Sequence, residues 1–251
     1  MRAIILGSGS KGNSTLLIGN NKKILIDVGF SYPKILKDLN EYNYGPKDID
    51  AILITHTHKD HIAGLATFIK KNHVPVYTNL KMQNELLKII SEEDMVISDD
   101  NFSIDEFNIT CIHTSHDAPG SVGFLIDDGK TSLVYITDTG YINKKYLDRI
   151  VNKNVYIFES NHDINMLMTG PYPYILKQRV LSDKGHLSNE TAGIYLKKLI
   201  GDNTKRIVLA HLSEINNTKE IALETVEAII KNKDILIDTA SQNEILDLGE
   251  I

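Results

Sequence analysis

The chain has 251 residues, 42% of them hydrophobic and 24% charged, with a formal net charge of −6 and a single cysteine, Cys111. That length allows one large α/β domain or two small ones, and the composition is that of an ordinary globular protein. The acidic balance argues against a protein that merely coats nucleic acid through phosphate contacts, and one cysteine rules out an internal disulfide framework. No apolar run reaches the length of a membrane span. The N-terminal run, Ala3 to Leu6, is too short for a signal-peptide core, so the expected location is the cytoplasm.

In chain order, two apolar runs, Ala3 to Leu6 and Thr15 to Ile18, flank Gly7-Ser8-Gly9-Ser10-Lys11-Gly12-Asn13-Ser14. No helix follows this glycine-rich stretch, so it reads as a hairpin turn rather than a phosphate-binding loop. Lys23 to Ile26 is a third strand ending at Asp27, and Pro33 opens a helix carrying Ile35, Leu36 and Leu39. Ala51 to Ile54 is a short buried strand, followed after a polar loop by Ile62, Leu65, Ala66 and Ile69 at helical spacing. A strand over Val74 to Tyr77, a helix from Leu80 to Ile90 and a polar acidic stretch from Ser91 to Asn101 come next. Phe107 to Ile112 is a strand. Ser121 to Ile126 and Thr131 to Ile136 form a hairpin about Asp128-Gly129. Tyr146 to Val151 is helical, Val155 to Phe158 a strand, and Met166 to Val180, with Pro171 and Pro173, irregular. A helix over Asn189 to Ile200, a strand over Ile207 to Ala210, a helix over Thr218 to Lys231 capped by Asn217, and a strand over Ile235 to Ile237 complete the chain. No linker or repeat interrupts it, and residues 1–251 read as one domain.

Thr55-His56-Thr57-His58-Lys59-Asp60-His61 fills the loop between strand and helix. Extended geometry at residues 56–58 sends both imidazoles to one side, and Asp60 and His61 add a carboxylate and a third imidazole. This donor set suits Zn²⁺, Mn²⁺ or Fe²⁺ better than Ca²⁺ or Mg²⁺. One loop cannot close two metal shells, so further ligands are expected at other strand ends. His116, Asp138 and His211 each stand just after a strand.

The ordered set formed by the histidine loop, His116, Asp138 and His211 resembles the metallo-β-lactamase superfamily over essentially the whole chain. The resemblance implies an αββα sandwich of two mixed β-sheets flanked by helices, holding two divalent metal ions. His56, His58 and His116 would hold one; Asp60, His61 and His211 the other, with Asp138 between them. Asp27 would orient the histidine loop through the outer nitrogen of a ligand. The segments Leu6 to Asn13, Glu159-Ser160-Asn161-His162-Asp163, and Gly170 through Asn189 look like the WalJ/YycJ group, small bacterial phosphodiesterases regarded as DNA exonucleases. Glu159 and His186 are similar to the acid/base pair of transfer-RNA 3′-processing endonucleases, but no substrate-binding arm is present.

The implied reaction is phosphodiester hydrolysis of nucleic acid, expected to be DNA. His186 would be the proton donor to the leaving oxygen, Glu159 its orienting partner, and Asp60 would steer the attacking water as well as bind metal. Ser8, Ser10, Asn13, His162, Lys177, Arg179 and Lys184 are candidate substrate contacts, and Tyr172 and Tyr174 candidate stacking surfaces. A hydrolase of small cyclic or nucleotide phosphodiesters and an RNA-processing nuclease stay open as alternatives. The oligomeric state is not expressed in the sequence.

Overall fold

Strands buried along nearly their whole length build the molecule from two sheets. The structure, a computed structural model, describes residues 1–232 and 234–251. The first half runs β1 (Arg2–Gly7), β2 (Ser14–Ile18), β3 (Lys23–Ile26), α1 (Tyr32–Asn40), β4 (Ala51–Leu53), α2 (Lys59–Ile62), α3 (Leu65–Asn72), β5 (Val76–Thr78), α4 (Gln83–Leu86) and β6 (Met95–Ile97). The second half runs β7 (Asn101–Ile104), β8 (Phe107–His113), β9 (Val122–Asp127), β10 (Ser132–Ile136), α5 (Lys144–Ile150), β11 (Val155–Glu159), α6 (Ile164–Thr169), α7 (Tyr174–Leu181), α8 (Asn189–Leu199), β12 (Arg206–Ala210), α9 (Lys219–Ile230) and β13 (Leu236–Thr239). A last strand, β14 (Leu246–Glu250), returns to pair antiparallel with β1.

Among the described residues the sheets are ordered β14-β1-β2-β3-β4-β5-β6 and β13-β12-β11-β10-β9-β8-β7. Each begins with antiparallel strands and continues with parallel strands joined through helices, β3 to β6 in one and β10 to β13 in the other. Parallel strands buried on both faces need apolar residues at every position, and the second sheet has them. Leu133, Tyr135, Val155, Ile157, Val208 and Ala210 face the first sheet across a shared core. Their neighbours Val134, Ile136, Tyr156, Phe158, Ile207 and Leu209 face α5, α8 and α9. The chain is an αββα sandwich, and the carboxyl ends of its parallel strands gather at one edge, where ligand sites of such sheets lie.

Several local expectations need correction. The segment 166–180 is not irregular: α6 ends at Gly170, and Pro173 caps α7. Proline is well tolerated at a helix start, so the two prolines separate helices rather than prevent them. The helix expected over 80–90 is helical only at Gln83–Leu86, because Leu80, Leu87 and Ile89 stay exposed and give the rest no buried face. The acidic stretch 91–101 contains the edge strand β6. The cap of α9 is Thr218, whose side chain accepts from Ile221 N. Asn217 is turned inward, its amide donating to Ser160 O and Asn189 Oδ1.

Candidate metal centre and active site

The histidine loop is held from below by Asp27. This residue directly follows β3 and takes a left-handed backbone, φ 60°. Such a turn costs a non-glycine residue about 1 kcal/mol and is common for aspartate. It brings the buried carboxylate under the loop, where it accepts from Thr55 N at 2.8 Å and Thr55 Oγ1 at 2.7 Å and lies 2.6 Å from His61 Nδ1. Thr55 Oγ1 in turn lies 3.1 Å from His56 Nδ1. Since that hydroxyl spends its proton on Asp27, it accepts from His56 Nδ1–H, which leaves His56 Nε2 as the free electron pair. Close backbone approach completes the support: a Cβ on Gly29 would lie 1.8 Å from Asp60 O.

Asp138 and His211 repeat the same device at the ends of the second sheet, with φ 56° at each. Asp138 Oδ2 lies 3.2 Å from His61 Nε2, while its Oδ1 lies 3.8 Å from His116 Nε2 and 3.4 Å from His211 Nδ1. Asp138 thus sits between two groups of donors. His58 Nδ1 and His116 Nε2 approach to 3.1 Å, and the rings of His56 and His58 are 4.8 Å apart. Ligand atoms of His56, His58 and His116 lie within 4.8 Å of one another, as do those of Asp60, His61 and His211.

These residues fit divalent metal. His56 Nε2, Asp138 Oδ2 and His211 Nε2 are buried and have no hydrogen-bond partner. A buried orphan costs about 1–3 kcal/mol, and a cation is the group that would relieve imidazole and carboxylate lone pairs together. Titration directions describe the same crowding. Burial, then the neighbouring imidazoles of His61 and others, holds His56 well below its ordinary value despite Asp138. Burial alone would also lower His61 and His211, but Asp27 and Asp138 drive His61 well up, and Asp138, Asp60 and Glu159 carry His211 to about 10. Burial would raise Asp138 and Asp60; the surrounding histidines hold both well below the carboxylate range.

Glu159, at the end of β11, is fully buried and serves several donors. Its Oε1 lies 2.8 Å from His186 Nδ1 and 2.9 Å from His211 Nδ1, and it accepts from the amides of Asp138, Thr139 and Leu187. Burial alone would raise its pKa, but His186 and His211 bring it down to about 2. A cleft opens above, lined by Ser10, His116, Tyr172, Arg179, Lys184 and His186 among others.

The remaining candidates divide. Ser10, Arg179 and Lys184 face the cleft. Ser8 and Asn13 are buried beneath it: Ser8 Oγ donates to Asn13 Oδ1 and accepts from His211 N, and Asn13 Nδ2 reaches 3.1 Å from His61 Nε2. His162 is 1% exposed with neither ring nitrogen partnered, which removes it from direct contact with substrate in this conformation. Lys177 is turned aside, its Nζ donating to Met168 O at 2.6 Å. Two residues escaped the sequence reading. Thr55 links Asp27 to His56, and Asp117 lies 3.4 Å from His58 Nε2 while accepting from Arg179 Nε at 2.7 Å. The signal for Asp117 was its place beside His116, but an aspartate after a strand is usually just a turn residue.

Comparison with known proteins agrees with this geometry. The family model described as beta-lactamase superfamily domain matches residues 22–212. The chain is 41% identical over 222 residues to the exodeoxyribonuclease WalJ of Streptococcus pneumoniae, covering 85% of this chain and 82% of that protein. It is 36% identical over 218 residues to the exodeoxyribonuclease YycJ of Bacillus anthracis, covering 85% and 83%. In fold it is similar to the metallo-beta-lactamase fold protein YhfI from Bacillus subtilis, with a TM-score of 0.76, 18% identity, and coverage of 98% and 100%.

Proposed function

The chain belongs to the beta-lactamase superfamily, and on that premise we propose that it is a metal-dependent exodeoxyribonuclease, a hydrolase of phosphodiester bonds at DNA ends. The observation that carries the reading is the convergence of buried, unpartnered His56 Nε2, Asp138 Oδ2 and His211 Nε2 in a chain so similar to two exodeoxyribonucleases. Two divalent ions per chain, Zn²⁺, Mn²⁺ or Fe²⁺, fit the donors: His56, His58 and His116 for one, Asp60, His61 and His211 for the other, Asp138 facing both. When bound, such ions supply Lewis-acid polarisation of the phosphate and lower the pKa of a water towards ~7.

The chain's own residues do the rest. Asp27 and Thr55 engage Nδ1 of His61 and His56, so Nε2 of each ring faces inward and would present its lone pair to a bound ion. Asp60, 23% exposed at its side chain against 3% for Asp138, is the more accessible carboxylate of the two and would orient the attacking water. Glu159 fixes His186 by Nδ1, which turns Nε2 towards the cleft. From there His186 donates a proton to the leaving oxygen, a transfer worth typically ~10²–10⁴ in rate. Arg179 and Lys184 hold phosphates flanking the scissile bond. The residues 1–251 act as one domain, and a single cysteine, buried and in no disulfide, is compatible with a reducing cytoplasm. Among the described residues no helix is long and apolar enough to cross a membrane.

The test is a substrate panel. Mn²⁺-loaded protein is incubated with 5′-labelled duplex DNA, single-stranded DNA, RNA and a chromogenic phosphodiester, with bound metal measured in parallel. Stepwise shortening of DNA from an end is expected. Cleavage of the small ester alone would reject the nuclease reading in favour of a hydrolase of small phosphodiesters.

A further inference from the structure

The glycine-rich loop between β1 and β2 has no part in the reaction outlined above, yet its side chains are tied to the metal ligands. Ser8 and Asn13 are 3% and 0% exposed, too deep to touch a substrate in the cleft. Ser8 Oγ accepts from His211 N at 2.9 Å and donates to Asn13 Oδ1 at 3.0 Å. Gly9 N donates to the same Oδ1, also at 3.0 Å. Two donors on one oxygen fix which way the Asn13 amide faces. Its Nδ2 has one proton for Gly9 O, at 3.0 Å. The other points at the metal ligands, 3.4 Å from Asp60 Oδ2 and 3.1 Å from His61 Nε2.

The backbone and a remote loop hold this arrangement in place. Asn13 N donates to Asp60 O, and Gly29 N donates to Asn13 O. From the far side Gln242, in the loop between β13 and β14, accepts from Lys11 N at 2.7 Å and donates to Gly12 O at 2.8 Å. A buried network with its partners all present keeps one geometry, because any lost partner leaves a polar group unpaired. The network is also selective. Asp60, His61 and His211 are the ligands it touches, and their donor atoms form one group. At His211 the contact is to the backbone, where φ is 56° and the left-handed turn needs holding. His56 and His58 lean instead on Thr55 and Asp117. An ion on the His61 lone pair leaves the Asn13 proton to Asp60 Oδ2, an oxygen with lone pairs for both.

We propose that Ser8 and Asn13 are positioning residues for one ion alone, that of Asp60, His61 and His211, and that Gln242 holds the loop that carries them. This rests on the two-ion reading above and deepens it. The two sites are separable, and the glycine loop sets the affinity of one of them without touching substrate.

The experiment titrates Mn²⁺ into the wild type, Ser8→Ala, Asn13→Ala and Gln242→Ala. Bound ions are measured by equilibrium dialysis and electron paramagnetic resonance, alongside kcat and KM on 5′-labelled DNA. The wild type is expected to bind two ions, seen as the broad spectrum of a coupled pair. Ser8→Ala and Asn13→Ala should bind one ion as tightly as the wild type and the other ~10–100-fold more weakly, the usual effect of removing a ligand's outer partner. At limiting Mn²⁺ their spectrum becomes that of an isolated ion and kcat falls. Excess Mn²⁺ restores kcat, and KM for DNA stays at the wild-type value. Gln242→Ala, which touches no ligand, should weaken the same ion by less. Equal weakening of both ions would overturn the proposal, and so would a raised KM with both ions bound, because the loop would then be a substrate contact. Should Asn13→Ala fail to fold, Ser8→Ala, which removes a single hydroxyl, decides alone. A wild type that binds only one ion defeats the two-ion reading and the proposal together. Two ions held at unchanged affinity in the wild type and both variants defeat the proposal alone.

Discussion

Oε1 of Glu159 lies 2.8 Å from Nδ1 of His186, and the same oxygen lies 2.9 Å from Nδ1 of His211. One buried carboxylate therefore orients two imidazoles through the same ring nitrogen and leaves Nε2 of each to a different task. Nε2 of His211 is buried and 3.6 Å from Asp60 Oδ2, among the proposed metal ligands, whereas the His186 side chain is 20% exposed at the cleft. His186→Ala is accordingly expected to keep its full metal content and lose ~10²–10⁴ in kcat. His211→Ala should lose metal as well as turnover. Metal analysis alongside kcat separates the two, and a fully active His186→Ala would remove that ring from the reaction.

Asp117 plays a comparable double part on the other side of the cluster. Its Oδ1 lies 3.4 Å from His58 Nε2 and its Oδ2 accepts from Arg179 Nε. Substituting Asn leaves the shape but replaces one acceptor with a donor. Removing a partner of a ligand's outer nitrogen typically costs 10–100-fold in metal affinity. Asp117→Asn should show such a fall in a competitive chelator titration, together with a raised KM for DNA from the freed Arg179. Arg179→Ala should raise KM and leave metal affinity alone; a loss of metal in that variant would contradict this division.

Much of this was legible in the residues. The loop 55–61, His116, Asp138 and His211 stood out because period-two strands deliver side chains to a sheet edge and because imidazole with carboxylate has few other uses in such density. Less legible were features that depend on tertiary contact. Residues 166–180 look like loop because Pro171 and Pro173 punctuate them, yet both flanks are helical. The strand β14 is short and contains Gly249, and only its pairing with β1 makes it a strand. The left-handed backbones of Asp27, Asp138 and His211 have no marker in a single sequence, since aspartate and histidine usually adopt ordinary φ. Asn217 looked like a cap because it precedes a helix, but the next residue's hydroxyl took the place while the amide was spent on Ser160 and Asn189.

Gly29 offers a test of how tightly the metal loop depends on its support. A Cβ there would meet Asp60 O at 1.8 Å and Asn13 N at 2.5 Å, both backbone atoms with little freedom to withdraw. Overpacking of this kind typically costs ~1–3 kcal/mol, and here the strain falls on the residue that carries the exposed carboxylate of the cluster. Gly29→Ala should lower Tm and reduce bound metal together. A variant of wild-type Tm and full metal content would show that the loop tolerates displacement.

His162 predicts a pH dependence of stability that belongs to neither the metal nor the cleft. Burial, only partly opposed by Glu159, lowers its pKa from 6.5 to about 4, and no group partners either nitrogen. In the unfolded chain the ring takes up a proton below about pH 6.5; in the folded protein it does so only below about 4. Between those values the unfolded state binds more protons, so stability falls as pH falls, by roughly 3 kcal/mol over the window, and this group adds no further slope below it. His162→Gln, which cannot titrate, should lack that component. Urea denaturation of the chelated wild type and variant at pH 7.5, 5.5 and 4.5 reads the difference directly, and identical slopes in the two proteins would mean that His162 reaches solvent or a partner when it protonates.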